Sequence, residues 1–350
     1  MTHLQSVNWY GHFNTITGYG NVNLSFPIAL QSKGIDVSLG WERYGQEHME
    51  WQWLSPQQRA LMDKPFTEAP VGIIKALPTQ FSACQNKFRI GYTMVENTKV
   101  NSDWINECNQ MDAILVPSEF LVKVFMDSGL VKPIRAIRQG VDSQSFPFFD
   151  RSQRIHDTFV FGTVGFMDER KNWRDLISAF ISEFDKGEPV ELWIKNTNRE
   201  WGFFDLDDDR IKIIPARYST PQLNEIYQMM DCFVCPSHAE GSGLTPREAM
   251  ATGLPTILTN WSGLTEIALD DMSYPLTPIS IDYPDERKGE QPGFQARLDV
   301  RELMYYMRYV YEHRIESLVK GKKASEYIHR EYSWDKCADV LVEKVEELCG

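Results

Sequence analysis

Short apolar runs alternate along the chain with longer stretches in which apolar residues recur at helical spacing, and this order appears in two successive series. In the first series the apolar runs predict strands at residues 4–10, 36–39 and 113–116. A helix is predicted to follow the glycine-rich segment at 18–23 and to run to about residue 34, and another is predicted at 119–128. A strand–helix alternation of this kind favours an α/β fold in which helices cover both faces of parallel sheets.

The second series begins with a β-branched and aromatic strand at 159–165 that ends in glycine. Further strands are predicted at 191–194, 211–214, 232–235 and 256–259, and helices at 221–230, from about 245, at 299–330 and at 334–348. The helix after the first strand carries an apolar stripe whose spacing indicates a core-facing surface: Trp173, Leu176, Ile177, Phe180, Ile181 and Phe184.

A chain of 350 residues is long for a single core and predicts two domains. With 42% hydrophobic and 24% charged residues, its composition is that of a globular protein. None of its apolar runs approaches the ~20 residues that a membrane-spanning helix needs. The first residues lack a basic segment followed by an apolar one, so the expectation at this point is a cytoplasmic protein.

The net charge of −13 is unevenly distributed. Residues 1–147 hold 12 Lys and Arg against 13 Asp and Glu, whereas the remainder holds 24 against 36. Nucleic-acid-binding proteins usually carry a basic face, so a nucleic-acid partner is not expected. If the acidic second half binds a small phosphorylated ligand, a few cations must be placed there locally.

Two groups of residues suggest metal binding, and neither fits it well. Cys232 and Cys235 have a CxxC spacing, but they fall in an apolar run that predicts a buried strand, with no second pair at zinc-ligand spacing. The acidic run at 207–209 precedes a strand in what should be a solvated loop. We therefore expect no metal and no cofactor, and the six cysteines are expected to be reduced thiols.

The most informative segment runs from Glu240 to Glu248 and joins a glycine-rich turn to a predicted helix. Thr245 is suited to cap that helix, Pro246 to occupy its first position, and Glu248 to complete a capping box. A helix start carries partial positive charge and free N–H groups that suit an anion. A capping box by itself is more often structural than functional, but it requires neither the preceding glycines nor the acidic residue at 240.

The longer run Pro236-Ser-x-x-Glu-Gly-x-Gly-Leu-x-x-x-Glu-Ala-Met-Ala-x-Gly-x-Pro255 resembles the Glu-x7-Glu signature of retaining glycosyltransferases of the GT-B fold, most closely glycosyltransferase family 4. The resemblance implies two Rossmann-like domains whose parallel sheets face a central cleft. It implies an acceptor-binding domain at 1–147, closed by a Gly-Val-Asp…Phe motif ending at Phe146, and a nucleotide-sugar-binding domain at 148–332. The terminal helix, 333–350, would cross back to the first domain.

The same resemblance assigns roles within the signature. Glu240 would face the hydroxyl groups of the donor sugar, and Glu248 would accept hydrogen bonds from the ribose. The donor's sugar and diphosphate would lie against the turn and helix start between the two carboxylates: Gly241, Ser242, Gly243, Leu244 and Thr245.

Two adjacent cations follow the first strand of the second series, at Arg170 and Lys171. In the resembled family this loop reads Gly-Arg-x-x-x-x-Lys-Gly, and its Arg and Lys bind the donor phosphates. Lys171 matches that Lys directly. Phe166 stands where the Arg is expected and Asn172 where the Gly is expected, so Arg170 could replace the missing Arg only if the loop is shifted. The alternative is a solvated helix start.

The glycine-rich segment near the N-terminus holds Gly18 and Gly20, which match the family's loop beside the diphosphate and the acceptor. As a dinucleotide fingerprint it lacks the third glycine, because Asn23 stands there, although Glu42 keeps that interpretation open. Glu96 falls where many relatives place a donor-contacting His. Four aromatic residues could stack on an acceptor sugar or pack internally: Trp41, Tyr44, Trp51 and Trp53.

These observations predict a retaining glycosyltransferase, most simply a hexosyltransferase, that uses a UDP- or GDP-linked sugar and a hydroxyl acceptor. The acceptor classes left open are saccharides, lipid-linked molecules and proteins, and a lipid-linked acceptor would bring the chain to a membrane surface. Two alternatives stay open: a catalytically degenerate nucleotide-sugar-binding subunit, and another GT-B enzyme such as a sugar-nucleotide epimerase. A phosphorylase is disfavoured because no pyridoxal-binding Lys region is recognisable.

Overall fold

A computed structural model of the chain describes residues 3–13, 18–40, 51–152, 157–196, 207–282 and 293–350. These residues form two compact units. The first unit comprises the described residues up to Gly140, together with Gly293 and Glu331–Gly350. The second comprises the described residues from Val141 to 282 and Phe294–Arg330. The domain boundaries at 147 and 332 stay predictions.

The first unit is built on a six-stranded parallel sheet with the strand order β2-β1-β3-β4-β5-β6. Its strands are β1 (Ser6–Gly11), β2 (Asp36–Gly40), β3 (Val71–Lys75), β4 (Phe88–Tyr92), β5 (Ala113–Val116) and β6 (Ile134–Ala136). Its helices, in chain order, are α1 (Gly18–Ser32), α2 (Pro56–Asp63), α3 (Ser102–Cys108) and α4 (Glu119–Asp127).

The second unit contains another six-stranded parallel sheet, in the order β12-β11-β10-β7-β8-β9. Its strands are β7 (Phe159–Gly165), β8 (Val190–Asn196), β9 (Ile211–Ile214), β10 (Cys232–Cys235), β11 (Thr256–Thr259) and β12 (Tyr274–Leu276). A two-stranded antiparallel sheet joins β13 (Pro278–Asp282) to β14 (Gln295–Leu298). The helices are α5 (Trp173–Glu183), α6 (Thr220–Met229), α7 (Leu244–Ala251), α8 (Val300–Glu312) and α9 (Arg314–Glu331).

The last helix, α10 (Trp334–Cys349), belongs to the first unit, as predicted for the terminal helix. The ring of Trp334 packs edge-on against Phe26 of α1, with 5.0 Å between the ring centroids. A Cβ at Gly140 would lie 2.8 Å from the Cα of Trp334, so only glycine permits this approach. Leu341 and Val345 on the same helix are completely buried.

The strand order places a switch point in each sheet, where successive strands are added on opposite sides. In the second sheet it lies between β7 and β10, because β8 and β9 extend the sheet on one side and β11 and β12 on the other. In the first sheet it lies between β1 and β3, because β2 alone is added beyond β1. Ligands of open α/β sheets bind at the carboxyl ends of the strands beside such points.

Several predicted elements are confirmed with their limits: β7, β9, β10 and β11 span the predicted residues, and α4, α5 and α6 differ by a residue or two. Five residues of the predicted apolar stripe after β7 are buried, but Ile181 is 45% exposed and therefore lies outside the core. The helical pattern at 299–330 is two helices rather than one, because α8 ends at Glu312 and α9 begins at Arg314. Among the described residues, no helix is both long and apolar enough to span a membrane.

Candidate functional site

The loop after β7 is shaped by local hydrogen bonds that place two cations at the switch point of the second sheet. The side chain of Asp168 accepts a hydrogen bond from the backbone N–H of Lys171 and thereby caps a single 3₁₀ turn at Glu169–Lys171. Asn172 then adopts a left-handed conformation, with φ of 54°, before α5 begins at Trp173. The turn presents Arg170 and Lys171 next to each other, and we call them the cationic pair.

Both members of the cationic pair reach the carboxylate of Glu240, which lies in the loop after β10. Lys171 Nζ is 2.5 Å and Arg170 Nη1 is 3.1 Å from the same oxygen, Glu240 Oε1. Arg170 Nη1 also donates to the carbonyl oxygen of Ala239 at 2.7 Å, and the N–H of His238 donates to the carbonyl oxygen of Arg170 at 2.8 Å. The loops after β7 and β10 therefore form one connected polar cluster.

The electrostatics of this cluster favour a permanently ionised carboxylate. Burial alone would raise the pKa of Glu240, but the charges of Lys171 and Arg170 outweigh burial and lower it to about 2. The cluster carries two positive charges and one negative charge at neutral pH.

A third loop, after β11, supports the backbone around Glu240. The N–H of Glu240 donates to Ser262 Oγ at 2.8 Å, and the N–H of Gly263 donates to the carbonyl oxygen of Glu240 at 2.9 Å. A Cβ at Gly263 would lie 2.5 Å from the carbonyl oxygen of Gly241, so the two loops touch through backbone atoms. Buried Arg247 donates to Ser242 Oγ at 2.5 Å, which orients the side chain of Ser242.

The predicted capping box at the start of α7 is wrong. The helix begins at Leu244, one residue before the predicted cap, and the N-cap position is Gly243 with no side-chain hydrogen bond. Gly243 has φ of 80°, a conformation that favours glycine, and this lets the chain turn into the helix before Thr245 can cap it. The first N–H groups of α7 are consequently not satisfied by a side-chain cap, which strengthens the case for an anion site there.

Glu248 lies within α7 and points to the interior of the second unit instead of to the helix start. It is 7% exposed, and its Oε2 accepts a hydrogen bond of 3.0 Å from the hydroxyl of Tyr227 on α6. Burial raises the pKa of Glu248 to about 7, although the Tyr227 hydrogen bond and the charge of Lys195 both lower it. Burial likewise lowers the pKa of Lys195 to about 8, against the charge of Glu248.

The sequence analysis did not identify three residues that the structure places at this site: Lys195, Tyr227 and Arg247. Lys195 could have been found, because it is a cation at the carboxyl end of an apolar strand, β8. The carboxyl ends of strands are where ligand contacts are expected. Tyr227 and Arg247 have no such signal. Their roles depend on how α6 and α7 pack, and sequence spacing does not determine that.

The departure from the family motif is visible at Phe166. Its side chain is 54% exposed at the carboxyl end of β7, and it supplies no charge to the cluster. The side chain of Lys171 passes over Gly165, the last residue of β7. Its Cε lies 3.6 Å from the position that a Cβ would take at this glycine. Arg170 reaches the same carboxylate from the 3₁₀ turn, so the two cations converge although the family's Arg position is apolar.

The remaining candidate residues lie in the first unit. Gly18 and Gly20 form the first turn of α1 and not a loop before it, because the helix begins at Gly18. Glu96 follows β4, and its charge acts on both Tyr19 and Lys75. Of the aromatic candidates, Trp53 is half-buried in a short 3₁₀ turn. Four other candidates lie outside what the structure describes: Trp41, Glu42, Tyr44 and the side chain of Trp51.

The residues considered for metal binding have other partners. Cys232 and Cys235 are buried on β10, three positions apart and hence on opposite faces of the sheet. The prediction of a solvated acidic loop is wrong for Asp208, which is 6% exposed and bonded by both oxygens to Arg210, at 3.0 and 2.7 Å. The described ranges contain no group of three or more His, Cys, Asp or Glu side chains arranged to hold a metal.

Residues 158–280, which contain every part of the cluster in the second unit, match the family model for glycosyl transferases group 1. This segment is similar to a glycosyl transferases group 1 domain. Among curated relatives, the chain is 27% identical over 175 residues to the capsular polysaccharide biosynthesis glycosyltransferase CapM of Staphylococcus aureus. That match covers 45% of this chain and 46% of the relative. The chain thus spans less than half the length of the curated relatives that it matches.

Solved structures of the GT-B fold match almost the whole chain. Sucrose-phosphate synthase from Thermosynechococcus elongatus matches with a TM-score of 0.71 at 14% identity, covering 98% of this chain and 99% of that one. HepE from Anabaena, solved in complex with UDP, matches with a TM-score of 0.64 at 14% identity, covering 98% and 100%. The predicted GT-B fold is therefore confirmed.

Proposed function

We propose that this protein is a glycosyltransferase that moves a sugar from a nucleotide diphosphate to a hydroxyl acceptor, with the donor held by the second unit. The observation that carries the proposal is the convergence of Arg170, Lys171 and Glu240 at the switch point between β7 and β10. Switch points of this kind bind nucleotides in doubly wound sheets. The group 1 domain covers the same residues.

The charge arrangement suits the departure of a diphosphate. Breaking the bond between the sugar and the diphosphate places negative charge on the leaving group and positive charge on the sugar. The cationic pair and the N–H groups at the start of α7 would stabilise the diphosphate without a metal or another cofactor. Glu240 already binds the cationic pair, so a donor diphosphate would share these cations with it, and the carboxylate would orient the sugar hydroxyls.

Glu248 would accept hydrogen bonds from the ribose in this proposal, and Gly241, Ser242 and Gly243 would contact the sugar and diphosphate. Glu248 is held by the hydrogen bond from Tyr227, and the charge of Lys195 favours its ionised form, which is the form that would accept hydrogen bonds from the ribose. Retention of the anomeric configuration is part of the proposal and follows from the resemblance to family 4. Gly18, Gly20 and Glu96 would contribute from the acceptor-binding side.

The donor is proposed to be a UDP- or GDP-linked hexose. HepE, a structural neighbour, has been solved with UDP and with UDP-glucose, which supports a nucleotide sugar as donor. The name of CapM refers to capsular polysaccharide and supports a saccharide or glycoconjugate as acceptor. Peripheral contact with a membrane is proposed only for the case of a lipid-linked acceptor.

Two assays test the proposal. Thermal unfolding with UDP, GDP and ADP identifies the base, because a ligand that binds only the folded state raises its stability by about 2.7 kcal/mol at 100 times Kd. Radiolabelled UDP- and GDP-hexoses are then incubated with and without pools of saccharide, lipid-linked and protein acceptors. Acceptor-dependent transfer with retained configuration supports the proposal. Nucleotide binding with neither transfer nor donor hydrolysis in any pool contradicts it.

The second candidate is a nucleotide-sugar-binding subunit without catalysis, and a specific observation favours it. Phe166 stands in place of the Arg of the phosphate-binding motif, and the two cations that the loop does hold, Arg170 and Lys171, are paired with Glu240. Restoring the cation with Phe166→Arg distinguishes the two candidates. A catalytic protein should gain affinity for the donor and retain transfer, whereas a binding subunit should gain affinity alone. An epimerase would instead convert the donor sugar without any acceptor.

A further inference from the structure

The first unit has an unexplained lysine at its own switch point. Lys75 is the last residue of β3 and pairs across the sheet with Gly11, the last residue of β1. These are the two strands between which the sheet divides, and the carboxyl ends of such strands are where open α/β sheets bind ligands. Helix α1, which begins at Gly18, starts above the same edge.

Lys75 is completely buried, and its ammonium group has no hydrogen-bond partner among the described residues. The side chain is 0% exposed, and Nζ has no hydrogen bond to any described residue. No carboxylate in the described ranges lies within ion-pair distance of it. An ammonium group buried without a hydrogen bond or an ion pair costs several kcal/mol, and an apolar residue at this position would avoid that cost. A purely structural role therefore does not account for a lysine here.

Aromatic rings and one distant carboxylate surround the ammonium group. Nζ lies 3.7 Å from the ring centroid of Tyr19 on α1 and 5.1 Å from that of Tyr92 on β4. Glu96, after β4, favours its charged form through space. Burial is the larger effect and lowers the pKa of Lys75 to about 7, so the lysine can carry its charge or lose it near neutrality.

Tyr19, the residue that covers Lys75, lies between Gly18 and Gly20 in the first turn of α1. The first turn of α1 contains no acidic residue, so the partial positive charge of the helix start adds to that of Lys75. An anion placed here would meet a cation and a helix start together.

We propose that Lys75 and the first turn of α1 form an anion-binding site, which holds a phosphate or carboxylate group of the acceptor. That the bound molecule is the acceptor rests on the proposed function, whereas the anion site itself does not. Tyr19 lies over the ammonium group through a cation–π contact and would move aside for the anion. The acceptor class that fits is a phosphorylated or carboxylated sugar and not a neutral one.

The first test measures anion binding with inorganic phosphate and with acetate on the full chain, in the presence of saturating UDP. UDP occupies the second unit, so that the anion response reports on the first. Tm is recorded at constant ionic strength for wild type, Lys75→Met and the control Lys123→Met, an exposed lysine on α4. We expect phosphate or acetate to raise the Tm of wild type and Lys123→Met, and this rise to be lost in Lys75→Met.

Comparing the two probes distinguishes the ligand chemistries. A larger response to phosphate indicates a phosphorylated acceptor, and a larger response to acetate indicates a carboxylated one. Glucose 6-phosphate and glucuronate, tested beside glucose, extend the comparison to sugars. Equal responses of all three proteins to both anions would overturn the proposal, because phosphate also stabilises proteins nonspecifically.

A second measurement does not depend on how Lys75→Met folds. Sulfate binding to wild type is measured with saturating UDP, because Lys195 and Glu248 in the second unit have pKa values in the same range. Sulfate keeps a constant charge between pH 6 and 8.5, so a change in its affinity reflects the protein. The groups facing Nζ are Tyr19 from α1, Tyr92 from β4 and Glu96 from the loop after β4. Because the ammonium group is lost above its lowered pKa, we expect sulfate affinity to fall about tenfold or more from pH 6 to 8.5. Affinity that is independent of pH would overturn the proposal.

The outcomes separate this proposal from the proposed function. If UDP fails to bind, the transferase proposal fails, and the sulfate measurement on the UDP-free protein still tests Lys75. If UDP binds and anions raise the Tm of Lys75→Met as much as that of wild type, the proposed anion site is wrong and the proposed donor site stands. Tyr19→Ala supplies a positive control, because removal of the ring should increase sulfate affinity at pH 6 severalfold.

Discussion

Glu240 forms ion pairs with two cations, so its removal should lower stability as well as activity. Glu240→Gln leaves Arg170 and Lys171, each less than one-sixth exposed, without their counter-charge. Breaking a largely buried ion pair by removing one partner costs about 3 kcal/mol or more. We expect the free energy of unfolding to fall by roughly that amount at pH 7, measured by urea denaturation, together with loss of transfer.

The pH dependence of this effect provides its control. The pKa of Glu240 is lowered in the folded state, so its contribution to stability is complete above the ordinary glutamate pKa and is lost as the pH falls towards 2. The urea midpoints of wild type and Glu240→Gln should therefore converge in acid. A constant difference down to pH 3 and below would show that packing, and not charge, holds Glu240.

Glu248 is expected to act on donor affinity in a pH-dependent way. Its pKa is raised to about 7, so the carboxylate that would accept ribose hydrogen bonds forms only as the pH rises through neutrality. The donor KM of wild type should fall between pH 6 and 8. Glu248→Gln should raise the KM at pH 8 by about 10- to 100-fold, the equivalent of 1.5–3 kcal/mol, and should abolish the pH dependence.

The stability of Glu248→Gln separates this role from a structural one. A raised glutamate pKa means that the residue's contribution to stability is present below its unfolded pKa and is lost as the pH rises through about 7. Gln can still accept the hydrogen bond from Tyr227, and it avoids burying a charge. Its Tm at pH 8 should match or exceed that of wild type. A large drop in Tm with an unchanged KM would assign Glu248 to packing alone.

At the scale of single elements, the start of α7 depends on one glycine. Gly243 has φ of 80°, and an added Cβ would lie 2.5 Å from Leu264 Cδ2. Gly243→Ala should therefore destabilise the protein by about 1–2 kcal/mol or more and weaken nucleotide binding, since the helix start must shift. Gly187→Ala is the matched control, because nothing lies within 4 Å of its added Cβ. Equal behaviour of the two variants in thermal unfolding with UDP would contradict this role.

The elements show how far the sequence alone could lead. Apolar runs bounded by turns predicted β7, β9, β10 and β11 with their limits, because buried parallel strands read as short hydrophobic segments. The cap of α7 could not be predicted, since Thr245 has the right chemistry and only the backbone of Gly243 decides where the helix starts. The local pattern also gave no sign of the break between Glu312 and Arg314.

The candidate site was predictable to a similar degree. The resemblance and the strand-end rule together located Lys171, Arg170 and Glu240 before their contacts were known. Their mutual ion pairs were not predicted, because the loops after β7 and β10 are about 70 residues apart in the chain. Lys75 escaped notice for a different reason: a lysine that ends a strand looks exposed in sequence, and its burial against Tyr19 and Tyr92 depends on tertiary packing.

At the scale of the whole molecule, the stability of the first unit depends on α10, which follows the second unit in the sequence. Leu341 is fully buried, and truncating a buried leucine to alanine costs about 2–5 kcal/mol. We expect Leu341→Ala to lower the Tm of the first unit while the increase in stability that UDP gives the second unit persists. Glu343→Ala, at an exposed position of the same helix, is the control. Loss of the UDP effect in Leu341→Ala would show that the units unfold together.

The return of α10 to the first unit also bears on how the protein is made. The strands β1 to β6 leave the ribosome early, but the helix that covers Phe26 and closes against Gly140 emerges only after the entire second unit has been translated. The second unit can therefore complete its core during synthesis, while the first keeps an apolar surface uncovered until translation has passed residue 345. Chaperone binding to nascent chains should accordingly concentrate on the first unit.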